Sequence, residues 1–129
     1  MNGKTLVLDT NAVIKLLDNE ECSRFLDAHF PGNVRCVSII TQIELLAYPD
    51  ITREADTLIR SFLADIPIIT IDGDIAETAI QIRRSKPLIK LPDAVIAATA
   101  IDFNAVLITS DVDLLRLRWQ GLAAVSIGI

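Results

Sequence analysis

Four acidic residues stand where a carboxylate could take part in metal chemistry. Asp9 and Asp111 each follow a short apolar run that is typical of a buried strand. Glu44 and Asp93 lie within apolar stretches, so their side chains should be partly buried, which is costly without compensation. If the four carboxylates converge they repel one another, and a divalent cation is the simplest compensator. Oxygen ligands of this kind favour Mg²⁺ or Mn²⁺.

Each of these acids also has a purely structural interpretation. Asp9 and Asp111 can each cap the helix that follows. Glu44 can complete a capping box with Thr41, three residues earlier. Asp93 can be a first-turn helix charge that the helix dipole favours. No single acid is specific, and the prediction of a metal site depends on their joint arrangement.

The elements that must position these acids alternate between short apolar strands and amphipathic helices. This alternation favours an α/β fold, with an open, mostly parallel sheet covered on both faces, in a single domain over residues 1–129. Asn11 is the predicted N-cap of the first helix and Thr41 that of the third. The predicted strands are 5–8, 35–37, 67–70, 106–108 and 123–127, and the predicted helices are 12–17, 20–29, 41–47, 52–64, 74–85, 92–100 and 111–115.

The carboxyl edge of such a sheet is where a site is expected. In open α/β sheets, ligands bind beyond the carboxyl ends of the strands, at the point where the strand order reverses. If strands 5–8 and 106–108 are neighbours there, Asp9 and Asp111 lie side by side.

Composition limits the class of protein. The chain has 129 residues, of which 51% are hydrophobic and 22% charged, and this excludes general disorder. No apolar run approaches the roughly 20 residues that cross a bilayer, and the first residues lack the features of a signal peptide, so we expect a cytoplasmic protein. Cys22 and Cys36 are expected to be buried thiols, and His29 is the only histidine, which disfavours zinc.

Four segments resemble, in this order, the motifs of the PIN-domain family: Leu8–Asn11, Ile43–Leu46, Leu91–Ala100 and Ile108–Asp113. The compact length is similar to that of the VapC-type toxins of prokaryotic type II toxin–antitoxin pairs. The resemblance implies a parallel sheet in the order 3-2-1-4-5 and a Mg²⁺- or Mn²⁺-dependent endoribonuclease. It further implies a small antitoxin partner and a homodimer. The implied metal and catalytic residues are Asp9, Glu44, Asp93 and Asp111, with Asn11 and Thr109 as polar supports.

The last of these motifs leaves a choice between two acids. Asp111 matches the family's acid two residues after the threonine, whereas Asp113 is an alternate or outer ligand. Leu114 replaces the aromatic residue that usually follows the second acid. Activation of water by one ion, with a second ion at the leaving oxygen, would give hydrolysis that leaves a 5′-phosphate. Whether one or two ions act stays open.

Several cations flank the acidic motifs and are candidates for holding RNA, despite the formal net charge of −5. They would contact phosphates without regard to base sequence, although an ordinary solvated surface explains each of them equally well. Trp119 is expected to be a packed aromatic rather than a partner anchor. The candidate RNA-binding residues are Arg83, Arg84, Lys86, Lys90 and Arg116.

The sequence leaves two alternative functions open. One is a PIN-type nuclease of RNA processing without an antitoxin, and the other is a non-catalytic α/β domain that binds Mg²⁺ through the same acids. A receiver domain would need a lysine at the end of a late strand, which is not found after Ile108. A phosphatase of the haloacid-dehalogenase type would need an acid where Asn11 stands.

Overall fold

A five-stranded parallel sheet forms the centre of the computed structural model, which describes residues 3–127. The strand order is β3-β2-β1-β4-β5, as the resemblance implied. Every strand pair is parallel, and β1 aligns Leu8 with Ile108 of β4. The strand order reverses between β1 and β4, because β2 and β3 follow one another on one side of β1, whereas β4 and β5 lie on its other side. The strands are β1 Thr5–Leu8, β2 Val34–Ser38, β3 Ile68–Ile69, β4 Val106–Ile108 and β5 Ala123–Val125.

Helices cover both faces of the sheet. Strand β1 shows how, because Leu6 and Leu8 join one buried cluster while Val7, between them, joins the other. The first cluster includes residues of α1 to α4, and the second includes residues of α5 to α7. The predicted α/β architecture is therefore confirmed. The helices are α1 Thr10–Asp18, α2 Glu20–His29, α3 Ile39–Leu46, α4 Arg53–Ala64, α5 Gly73–Ser85, α6 Leu91–Asp102 and α7 Val112–Arg116.

Helix α6 is the most deeply buried helix of the described chain. All seven residues from Ala94 to Ala100 are buried, and four of them are alanines, whose small side chains allow close packing. Pro92 fits its first turn because the amide that proline lacks would have no helical partner there. Asp93 stands in that first turn, at the edge of the buried segment.

Two predicted helix caps are wrong. Asp9, not Asn11, is the N-cap of α1, and its carboxylate accepts a hydrogen bond from the amide of Ala12 at 2.7 Å. Ser38, not Thr41, caps α3, because β2 runs directly into the helix at that residue. Thr41 consequently lies inside the helix, fully buried, and cannot form the capping box with Glu44.

The remaining elements agree closely with expectation. Strand β5 ends at Val125, two residues before the predicted end, and β3 is reduced to two residues. Cys22 and Cys36 are buried free thiols, and Trp119 packs partly buried against the core, as predicted. Within residues 3–127 no helix combines the length and apolar character that a membrane crossing needs. The predicted domain range of 1–129 includes four terminal residues outside the described part.

Candidate active site

The four acids predicted from the sequence share one cleft of about 250 Å³. It lies beyond the carboxyl ends of β1 and β4, which are followed directly by Asp9 and by the loop to Asp111. Asp93 reaches it from the first turn of α6 and is partly buried, as predicted. Glu44 reaches it from α3, and the prediction that its side chain is partly buried is wrong, because this residue is exposed. The lining consists of Asp9, Thr10, Asn11, Glu44, Lys90, Pro92, Asp93 and Asp111.

Asp9 is the most enclosed of the acids, with 4% of its surface exposed. Its amide donates to the carbonyl of Ile108 at 3.1 Å, which fixes the end of β1 against β4. Burial raises the pKa of its carboxyl, and the charge of Asp111 raises it further. Hydrogen bonds from the Thr109 hydroxyl and the Ala12 amide act in the opposite direction and lower the pKa. Asp9 therefore serves both as a helix cap and as a carboxylate at the base of the cleft.

Thr10 orients Glu44, a role that the sequence did not reveal. Its hydroxyl donates to Oε1 of Glu44 at 2.6 Å and lies 3.3 Å from the hydroxyl of the buried Thr41. The contact joins the first residue of α1 to the exposed acid of α3. A signal was present in the sequence, since a hydroxyl residue directly follows Asp9, but its partner lies 34 residues away. Asn11, the support implied by the resemblance, is exposed and lines the cleft beside it.

Asp93 is the acid whose ionisation the site disturbs most clearly. Burial, followed by the charges of Asp111, Glu44 and Asp9, raises the pKa of its carboxyl to about 6. Lys90 lowers this pKa, but by less than the other groups raise it. Because all three other acids contribute, the four carboxylates act on one another electrostatically across the cleft.

Asp111 is held by the loop between β4 and α7. Its amide donates to the hydroxyl oxygen of Thr109 at 2.9 Å, and its Oδ1 accepts from the amides of Asp113 and Leu114 as the cap of α7. Thr109 is fully buried and also bonds the carboxylate of Asp9. Thr109 thus links the two neighbouring acids. Asp113 is exposed and lines a second hollow instead of the acid cleft.

The predicted RNA-binding cations occupy different surroundings. Lys90 lines the acid cleft, whereas Lys86 and Arg116 line the adjacent hollow of about 320 Å³ together with Asp113. Arg83 donates from Nη1 to the carbonyls of Pro87 and Ile89, at 2.9 and 2.6 Å, and so braces the turn before α6. Arg83 therefore has a structural role, because its guanidinium donates to backbone carbonyls of the turn that have no helical partner. Arg84 lies with it along a third hollow.

The chemistry of the donor set fits a hard divalent cation. The cleft presents four carboxylates, whose mutual repulsion a Mg²⁺ or Mn²⁺ ion would relieve. Within residues 3–127 no three acidic, histidine or cysteine side chains are already gathered closely enough to hold an ion. The four acids could therefore hold one only after side-chain adjustment. Without an ion, Thr10 and Thr109 hydrogen-bond the carboxylates of Glu44 and Asp9.

Comparison with known proteins identifies the family. A toxin–antitoxin complex from Klebsiella pneumoniae contains a similar chain, with 30% identity, a TM-score of 0.72 and coverage of 92% of this chain and 95% of that one. Two further structures share the fold, and each match covers 95% of this chain and 98% of the other with a TM-score of 0.77. They are VapBC2 of Rickettsia felis bound to a promoter DNA fragment, with 19% identity, and VapBC-1 of nontypeable Haemophilus influenzae, with 23% identity. A search of curated proteins gives no match. The PIN domain profile matches residues 6–120, and the chain therefore belongs to the PIN domain family.

Proposed function

We propose that this protein is a Mg²⁺- or Mn²⁺-dependent endoribonuclease and the toxin of a type II toxin–antitoxin pair. PIN domains are nucleases, and they generally use divalent metal ions. The observation that carries the proposal is the convergence of Asp9, Glu44, Asp93 and Asp111 on one cleft at the point where the strand order reverses. The similarity to a toxin–antitoxin complex at 30% identity supports the toxin assignment.

Each of these residues has a defined part in the proposed reaction. Asp9 and Asp93 would hold the metal from opposite elements, the end of β1 and the first turn of α6. Thr10 keeps Glu44 turned toward the cleft, and Thr109 keeps Asp9 and Asp111 in register. When bound, the ion would supply a more acidic water and neutralise charge on the phosphodiester. Lys90, at the rim, is placed to contact a phosphate of the RNA backbone.

The substrate class is tested with matched oligonucleotides. Single-stranded RNA and DNA of the same sequence are incubated with the protein and Mg²⁺, and the product ends are mapped. We expect cleavage of the RNA to products with a 5′-phosphate and at least about tenfold slower cleavage of the DNA, since the 2′-hydroxyl distinguishes the two. Asp93→Asn, purified identically, controls for contaminating nucleases. Equal cleavage of both polymers would contradict the assignment of RNA as the substrate.

An apolar groove beside the cleft supports the proposed antitoxin partner. The groove, of about 610 Å³, includes Ile14 and Tyr48 and shares Thr10, Asn11 and Glu44 with the acid cleft. An amphipathic helix of the partner would lie in it, and a neighbouring arginine would pair with the carboxylates.

The protein encoded next to this gene is the candidate partner, and co-expression tests it. Tyr48→Glu should disrupt co-purification by placing a charge in the groove, because Tyr48 is 69% exposed and lines it. Phe103→Glu is the matched control, an exposed aromatic outside that groove. Co-purification that Tyr48→Glu leaves intact would place the partner elsewhere on the surface.

A further inference from the structure

A lysine of α1 reaches the loop that carries Asp111. Nζ of Lys15 donates to Oγ of Ser110 at 2.8 Å, joining residues 95 apart in the chain. Both side chains are partly buried, and neither belongs to the lining of the acid cleft. The pair therefore acts on the site only through the residues that it holds.

Ser110 lies between Thr109 and Asp111 in the chain, and Thr109 is the residue that connects Asp9 with Asp111. Thr109 bonds the carboxylate of Asp9 and accepts the amide of Asp111. These two bonds tie the loop to itself and to the end of β1. The bond from Lys15 is different, because it ties the loop to the body of α1, the helix that Asp9 caps.

Charge at this position also favours a role in the site. Asp9 and Asp111 repel each other, and this repulsion raises the pKa of Asp9, whereas the ammonium of Lys15 lowers it. The ammonium of Lys15 is thus close enough to Asp9 to act on its charge, and it is hydrogen-bonded to the residue directly before Asp111. A donor that is charged makes that hydrogen bond stronger than a neutral one.

We propose that Lys15, acting through Ser110, is a positioning residue that holds Asp111 at its working distance from Asp9. The inference rests on the proposed nuclease function for its catalytic consequence only. The competing explanation is that Lys15 is a cation in the last turn of α1 that merely favours the helix dipole. That explanation needs no partner at Ser110, so replacing Ser110 distinguishes the two.

Hydrogen exchange of the metal-free protein tests the tether without any substrate. Lys15→Met keeps the apolar stem and removes the ammonium, and Ser110→Ala removes its acceptor. We expect each to speed exchange in a peptide covering residues 109–116 by about tenfold, because the amides of Asp111, Asp113 and Leu114 are bonded within this loop. Lys4→Met is the control, because this exposed lysine precedes β1 and so lies at the amino ends of the strands, away from the acid cleft at their carboxyl ends.

RNA cleavage then tests whether the tether matters for the reaction. At saturating Mn²⁺, each single variant should lower kcat about tenfold with KM for RNA nearly unchanged, because misplacement of Asp111 disturbs the reaction and not RNA binding. The double variant should be no slower than either single one, since both remove the same bond. Lys15→Arg, which keeps a charged donor, should recover kcat to within about threefold of wild type.

The two readouts fail separately. Exchange in residues 109–116 that neither variant changes would overturn the tether, whether or not the protein cleaves RNA. A double variant slowed by the product of the single effects, or Ser110→Ala with wild-type kcat, would overturn the positioning role. A wild-type protein that cleaves no RNA, but whose loop exchange responds as expected, would contradict the proposed nuclease function and leave the tether standing.

Discussion

Asp93→Asn should lower the rate of RNA cleavage at least about a hundredfold. Loss of a residue that only supports a metal ligand typically costs 10- to 100-fold, and loss of a ligand should cost more. Asparagine keeps the shape of the side chain and remains acceptable in the first turn of α6, so the fold should survive. The measurement is single-turnover cleavage of an end-labelled RNA at saturating Mg²⁺, with circular dichroism to verify folding.

Asp113→Asn is the matched control for this loss. Asp113 lies two residues after Asp111, but it is exposed and lines the adjacent hollow. It should keep activity within about threefold of wild type, since solvent largely screens a charge outside the cleft. If Asp113→Asn were as inactive as Asp93→Asn, the last acidic motif would supply a different carboxylate from the one assigned here.

Mn²⁺ should stabilise the wild-type protein by about 2.7 kcal/mol at a hundredfold excess over its dissociation constant. For a domain of this size, that free energy corresponds to a rise of about 10 °C in Tm. The expected cause is relief of repulsion among the four carboxylates, because an ion that binds only the folded state lowers its free energy. Differential scanning fluorimetry with EDTA and with Mn²⁺ at pH 7.5 measures the shift.

Without metal, Asp93 should destabilise the fold at neutral pH. Its folded-state pKa of about 6 lies above its ordinary value of 3.8, so the folded state binds more protons than the unfolded state between these values. The contribution of Asp93 to stability is thus present below about pH 4 and is lost as the pH rises through 6. In EDTA at pH 7.5, Asp93→Asn should be more stable than wild type by roughly 1 kcal/mol after allowance for solvent screening, or about 4 °C in Tm.

The pH dependence of this difference is the control. The difference in Tm between Asp93→Asn and wild type should vanish near pH 4, where Asp93 is largely protonated in the folded state and differs little from asparagine. Asp93→Asn should also gain less Tm from Mn²⁺ than wild type does. The account would be contradicted if Asp93→Asn were less stable than wild type in EDTA at pH 7.5 and Mn²⁺ left the Tm of wild type unchanged. The acids would then be structural helix caps and not a metal site.

The sheet could be predicted from the sequence because its signals are local. Apolar runs such as 5–8 and 106–108 can be read from neighbouring residues alone, and the two acids that follow them meet because parallel strands end at one edge. The order of the strands cannot be read from neighbouring residues in the same way. It came from the resemblance of four motifs to the PIN family, and the structure agrees with it.

The details of the site depend on contacts that the sequence cannot display. Thr41 and Glu44 have the spacing of a capping box, but β2 extends to Ser38, so the helix begins earlier and Thr41 is enclosed within it. Thr10 meets Glu44 only because α1 and α3 lie side by side. Arg83 is predicted to bind RNA because it is a cation near an acidic motif, but the sequence does not show that its Nη1 also bonds the carbonyls of the turn before α6.

Reversible removal of metal tests the central claim most directly. One sample of wild-type protein cleaves end-labelled RNA in Mg²⁺, is treated with excess EDTA, and then receives Mn²⁺ in excess of the chelator. The account predicts that cleavage stops in EDTA and returns with Mn²⁺, and that Asp93→Asn cleaves at no more than about one hundredth of the wild-type rate in either metal. Cleavage that continues unchanged in EDTA, with Asp93→Asn as active as wild type, would contradict a metal-dependent reaction at these four acids.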